Sequence, residues 1–100
     1  MSNFSYKLKV IDAPVEGSPG SRISLKVSIE EASEEISRVY VSEGMYGIHE
    51  ILKKESDTLF SLNYYIPYEA PYGNYDVAIG AVNDKNEKGP VTNIGFKVSR

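Results

Sequence analysis

One hundred residues carrying 14 Asp and Glu against 11 Lys and Arg, with neither Cys nor Trp, set firm limits. The length suits one domain, 1–100, with a single core and little apolar surface to spare. Without Cys there is no disulfide framework and no thiolate metal site, and the acidic balance opposes a nucleic-acid partner, whose phosphates need a basic surface.

Most of the chain alternates apolar and polar residues with period two, the pattern of half-buried strands. Phe4, Tyr6, Leu8 and Val10 share one face of a first strand, separated by Ser5, Lys7 and Lys9. The first residues lack the apolar stretch of a secretory leader, and no apolar run approaches the length of a membrane span, so no membrane insertion is expected. Two localisations stay open. One is an extracellular or cell-surface module of a longer chain, favoured by strands that reach almost to both ends. The other is a cytoplasmic protein, if the chain is full length.

Pro14, Gly17, Pro19 and Gly20 make a turn-rich connector in which strand pairing is lost. Ile23, Leu25, Val27 and Ile29 then alternate with Ser24, Lys26 and Ser28 in the cleanest strand of the chain. The acidic run over 30–37 has Ala32, Ile36 and Val39 at helical spacing. Its apolar content is too small to bury a helix, which predicts a solvated connection. Val39 and Val41 mark a third strand, ended by Gly44. Residues 48–54 read as an edge strand with His49, Ile51 and Lys53 on one face, where Lys53 and Lys54 guard against pairing with other chains.

Phe60, Leu62, Tyr64 and Ile66 form the next strand, which stops at Pro67. Pro71 and Gly73 turn the chain, and Tyr75, Val77, Ile79 and Ala81 continue in a new strand. A polar hairpin over 82–90 follows, and Ile94, Phe96 and Val98 close the fold. A Pro/Gly corner with Tyr at the entry to the next strand is how a chain crosses between the sheets of an immunoglobulin-like sandwich. The predicted architecture is therefore all-β: an immunoglobulin-like sandwich of about seven antiparallel strands in two sheets. Its single core should bury Ile23, Leu25, Val27, Phe60, Leu62, Tyr75, Val77, Ile79 and Phe96. The Tyr75 hydroxyl is expected to bond a backbone group in the corner.

Ile66, Pro67, Ala70, Pro71, Gly73, Tyr75, Val77, Ala81 and Asn83 give this segment a resemblance. It is similar to the end of the immunoglobulin-like and fibronectin type III-like modules of prokaryotic surface proteins and secreted glycosidases. Gly20 followed by Ile23, Leu25 and Val27 resembles their second strand. The Trp usual in the second strand of fibronectin type III domains is missing. The resemblance implies a non-catalytic structural or adhesive module that spaces or presents other domains. Its partners would be neighbouring domains of the same chain, or a protein or glycan ligand. The residues that carry it determine fold and say little about function.

Candidate sites are few. His49 is the only histidine, and no nucleophile stands in a recognisable elbow, so neither catalysis nor a histidine metal site is expected, and no cofactor. Asn83, Asp84, Asn86 and Glu87 place four oxygen-bearing side chains in one hairpin, which makes them weak calcium candidates. Lys85 and Lys88 in the same loop, and the irregular spacing, argue against it. Eight tyrosines are the second unusual feature. Of those around the corner, Tyr64 and Tyr75 fall on inward positions, while Tyr65, Tyr68 and Tyr72 should be at least partly exposed. Exposed tyrosine faces stack on sugar rings or anchor an interface at low entropic cost. That makes carbohydrate binding through Tyr65, Tyr68 and Tyr72 the alternative function; the plainer reading has these rings covering the open end of the sandwich.

Overall fold

In the computed structural model, which describes residues 4–100, the alternation of the sequence becomes nine strands in two sheets. In chain order they are β1 (Lys7–Asp12), β2 (Glu16–Gly17), β3 (Arg22–Glu30), β4 (Ile36–Glu43), β5 (Ile48–Ile51), β6 (Lys53–Lys54), β7 (Leu59–Tyr65), β8 (Gly73–Asn83) and β9 (Thr92–Val98). One sheet runs β1-β3-β7-β6 and the other β2-β9-β8-β4-β5. This is the immunoglobulin-like sandwich. Seven strands are the expected ones, and β2 and β6 add two residues each. All pairings are antiparallel except β2 with β9.

The two short strands arise where the chain changes sheets. β1 leaves β3 at Asp12, and Pro14 withholds a backbone donor from further pairing. The chain then rejoins the other sheet at Glu16, opposite Lys97. On the far side, the stretch predicted as one edge strand splits in two. Ile48, Glu50 and Leu52 share the inward parity, and Leu52 is the buried pivot, its N–H bonded to the Val39 carbonyl at 2.9 Å. His49 and Ile51 point outward, with Lys53 on the short edge of the opposite sheet. The acidic connection between β3 and β4 contains no helix and is largely solvated, as expected.

At one end the sandwich is closed. Phe4, Val27, Ile29, Val39, Leu52, Phe60, Ile79 and Ala81 bury one another between the sheets. Tyr6 seals this end through its hydroxyl, which accepts the Ala81 N–H at 2.9 Å and donates to the Pro90 carbonyl. β8 has no pairing with β9 beyond Ile79, so the phenol satisfies a backbone donor that the ladder leaves over. A second cluster, Ile66, Tyr75 and Val98, lies at the other end.

The expectation of one continuous core needs correction between these clusters. Leu25, Val27, Phe60, Tyr75 and Ile79 are buried, but Ile23, Leu62, Val77 and Phe96 are only half-buried. The reason is the brevity of β6, which covers β7 only at Phe60 and Ser61. Past Ser61 the four-stranded sheet has no strand outside β7, and the space between the sheets stays unfilled. A cavity of about 90 Å³ remains there, walled by those same residues.

Phe4 stands at the closed end, and Val98 pairs with Gly73 at the corner end. The first and last described residues therefore stand at opposite ends of the sandwich.

Candidate binding surface

The corner over 66–72 positions the tyrosines. Tyr65 ends β7 on the outward parity and is paired in register with Arg22 of β3. That pairing carries the Arg22 guanidinium over the Tyr65 ring, 5.9 Å from its centroid, a cation–π contact. Tyr68 meets Tyr65 edge to face, with centroids 6.3 Å apart and planes at 75°. Its other support is Gly20, where φ is +86° and a Cβ would stand 2.5 Å from the Tyr68 ring. Only glycine meets both demands, so the turn before β3 is shaped to hold this ring. One face of Tyr68 is used in this way, and the side chain remains 77% exposed.

Tyr65, Tyr68 and Arg22 thus form one patch. Tyr72 is exposed as expected but stands at the far end of the corner, with no ring contact to the other two. The structure brings together two of the three candidate tyrosines. Desolvation raises the Tyr65 phenol pKa, then Tyr68 and Glu69 add to the rise against the pull of Arg22, so it stays protonated and able to donate.

Tyr75 is buried, and its hydroxyl donates to the Pro71 carbonyl at 2.6 Å. The bond ties the corner to β8 in the way expected from the sequence. Tyr46 packs on Tyr75 at 5.1 Å from the turn between β4 and β5. With the exposed Met45, Tyr46 extends the apolar surface at this end. Sequence reasoning missed Arg22, Met45 and Tyr46. The signal for the last two was present, since glycines at 44 and 47 bracket a pair of large apolar residues in a turn.

The hairpin between β8 and β9 uses its oxygens internally. Asn83 is buried, and its Oδ1 accepts the N–H groups of Lys85 and Glu87 at 3.0 and 2.9 Å. Its Nδ2 donates to Glu87 Oε1, and Asn86 Oδ1 accepts from Arg38. Asp84 points to solvent. These four side chains build the turn rather than converge on one point. Among the described residues, no group of three or more His, Cys, Asp or Glu is arranged to hold a metal ion. His49 lies outside the sandwich, stacked on Tyr40 at 5.7 Å. No helix among the described residues is long and apolar enough to cross a membrane.

No protein-family model matches the chain, and no curated protein sequence matches it. Solved structures do. The endo-β-1,4-mannanase of Thermotoga petrophila superposes with a TM-score of 0.70 at 7% identity, over 95% of this chain and 20% of the mannanase. The SrpA adhesin of Streptococcus sanguinis gives 0.67 at 13% identity, over 99% of this chain and 60% of the adhesin. The fibronectin(III)-like modules of Clostridium thermocellum CbhA give 0.65 at 14% identity, over 94% of this chain and all of the module. This chain spans about a fifth of the mannanase and the whole of the module. Its fold is that of the immunoglobulin-like and fibronectin type III-like modules.

Proposed function

We propose that the chain is a non-catalytic structural module of a larger secreted or cell-surface protein, spacing and presenting the domains on either side. The observation that carries this reading is the placement of the first and last described strands. Phe4 lies in the cluster at one end of the sandwich and Val98 in the cluster at the other, an arrangement suited to holding neighbouring domains apart. The match over the whole of a fibronectin(III)-like module, and over only a part of larger proteins, supports it. Neighbouring domains of the same chain are then the first partners.

A second reading rests on the Tyr65–Tyr68 pair. Two aromatic rings packed edge to face beside a guanidinium offer a stacking face and a charged donor, which suits a glycan with an acidic or hydroxyl-rich edge. A glycan array probed with the whole chain separates the two. A spacer gives no saturable signal. Saturable binding to one glycan class, lost in Tyr65→Ala and Tyr68→Ala, would replace the spacer reading with the carbohydrate one.

A further inference from the structure

β7 is paired along one edge for its whole length and along the other for only part of it. On one side it runs in register with β3 from Leu59 to Tyr65. At the two ends of this pairing the Ile66 N–H donates to the Ser21 carbonyl at 2.9 Å, and the Ile29 N–H to the Thr58 carbonyl at 2.8 Å. Backbone groups alternate sides in an antiparallel ladder. Those of Phe60, Leu62 and Tyr64 therefore face β3, and those of Leu59, Ser61, Asn63 and Tyr65 face away from it. On that far side the Glu55 N–H donates to the Leu59 carbonyl at 2.8 Å, and Lys53 is paired with Ser61. Beyond them no described residue bonds the backbone of Asn63 or Tyr65, and both residues are exposed.

Sheet edges are ordinarily kept from pairing with other chains by charge, proline or a bulge. Here Lys53 and Lys54 guard only the stretch that β6 covers, and Pro67 stands past the end of β7. Leu62, Asn63, Tyr64 and Tyr65 carry no charge, and their pairing with β3 contains no bulge. This neutral, open stretch is complementary to itself. When two copies lie antiparallel with Asn63 of each opposite Tyr65 of the other, every free N–H of both segments meets a free carbonyl. Sliding the copies by one pair fails in either direction. One shift sets Tyr65 against Ser61, whose groups already face Lys53. The other sets Asn63 against Pro67, which has no N–H and whose carbonyl accepts the Ala70 N–H at 3.1 Å.

We propose that two copies of this chain associate edge to edge through β7, joining their four-stranded sheets into one. Charge favours this occupant. In the register that pairs Asn63 with Tyr65, Pro67 of the second copy arrives against Lys53, so its corner, with the exposed Glu69, meets the end of β6. Lys53, Lys54 and Glu69 make no ion pair with any described residue. The two-fold symmetry of such a contact brings acid and base together twice and closes the assembly at two copies. The paired stretch is short, so the dimer is weak and reversible. It depends on neither the spacing role nor glycan binding.

The test is sedimentation velocity of the whole chain at concentrations up to about 1 mM, with amide NMR over the same range. A monomer–dimer equilibrium with Kd of about 0.1–1 mM is expected, the range of a small transient interface. Amide shifts and slowed hydrogen exchange should centre on Asn63 and Tyr65. Asn63→Pro removes an outward donor at an edge position, where proline is tolerated, and should abolish association while the monomer stays folded. Glu69→Lys should weaken association at least about three-fold, and adding Lys53→Glu should restore it. This charge exchange touches no core residue, so it reports even if Asn63→Pro does not fold. A chain that stays monomeric throughout, or one that associates with the Asn63 and Tyr65 amides unchanged, would overturn the proposal. So would undiminished association of Glu69→Lys. Should a monomeric chain shift those two amides only when a synthetic peptide of residues 59–67 is added, the edge takes an extended segment and not a second copy, and the dimer is overturned.

Discussion

The two halves of this sandwich are made from the same kind of strand and packed to different standards. Around Phe60, Val39 and Val27 the sheets meet fully and the central side chains are buried. One pair of positions further along β7, around Leu62, equally apolar side chains stand half-exposed round a void. Alternation decides which residues face inward; the covering strand decides whether they are buried. β6 covers Phe60 and stops, and that difference separates a closed end that holds the fold together from an open end whose walls stay half-exposed.

The largest test of this contrast is a pair of truncations two residues apart on one strand. Phe60→Ala should cost about 3–5 kcal/mol, enough to unfold a domain of ordinary stability, because it opens a cavity in a closed core. Leu62→Ala should cost only about 1–2 kcal/mol, since the side chain is half in solvent and already borders empty space. Urea unfolding of both variants measures the gap. Equal losses would mean that the open half is as well packed as the closed one.

Asn83 tests the closed end from its loop. It is buried, and its side chain makes three hydrogen bonds that shape the hairpin. Asn83→Ala should cost about 2 kcal/mol, less than Phe60→Ala because the stranded N–H groups of the loop can turn to water. The midpoint of thermal unfolding reports it, and the same samples check a further expectation. Because the hairpin oxygens are engaged with one another, adding calcium or a chelator should leave Tm of the parent chain unchanged. A calcium-dependent rise that Asn83→Ala removes would show that the loop rearranges to bind the ion.

The contrast between the halves also marks how far the sequence could be read. Period-two patterning in residues 22–30, 59–65 and 73–83 identified the inward faces correctly. The Pro67, Pro71, Gly73 and Tyr75 corner was legible down to a single hydrogen bond, because turn chemistry is local. Burial at Ile23, Leu62, Val77 and Phe96 was not legible. It depends on how far the chain pairs after Leu52, and Lys53-Lys54 carries no sign that pairing ends there. The candidate surface was half legible for a similar reason. Exposure of Tyr65, Tyr68 and Tyr72 follows from parity and turn position. The contact of Arg22 with Tyr65 needs the register between β3 and β7, which no local pattern supplies.

Two phenols allow a finer comparison, one at each end: Tyr6, half-buried, and Tyr75, buried. Tyr6→Phe removes the only partner shown for the buried Ala81 N–H and should cost about 1–3 kcal/mol. Tyr75→Phe leaves the Pro71 carbonyl free to find water and should cost about 1 kcal/mol. The pH dependence provides a second readout. Burial raises both phenols above the ordinary tyrosine value of about 10. The folded chain therefore keeps these protons at a pH where the unfolded chain has lost them. The stability they contribute is fully present below about pH 10 and is lost as pH rises through the folded values. Tm should fall more steeply above pH 10 in the parent chain than in either Phe variant.

The smallest effects belong to the rings at the open end, and their smallness is the point. Tyr65→Ala and Tyr72→Ala should each change stability by no more than about 0.5 kcal/mol, the usual scale for surface substitutions. Tyr68→Ala should cost slightly more, because one face of its ring covers Gly20 and helps hold the turn before β3. If all three remain near neutral, these rings are not structural covers, and aromatic surface is being held in water without benefit to the fold. A surface of that kind serves recognition. Losses above about 2 kcal/mol in Tyr65→Ala and Tyr68→Ala would identify the rings as part of the core, extending the packed region past the corner and removing the glycan-binding alternative with it.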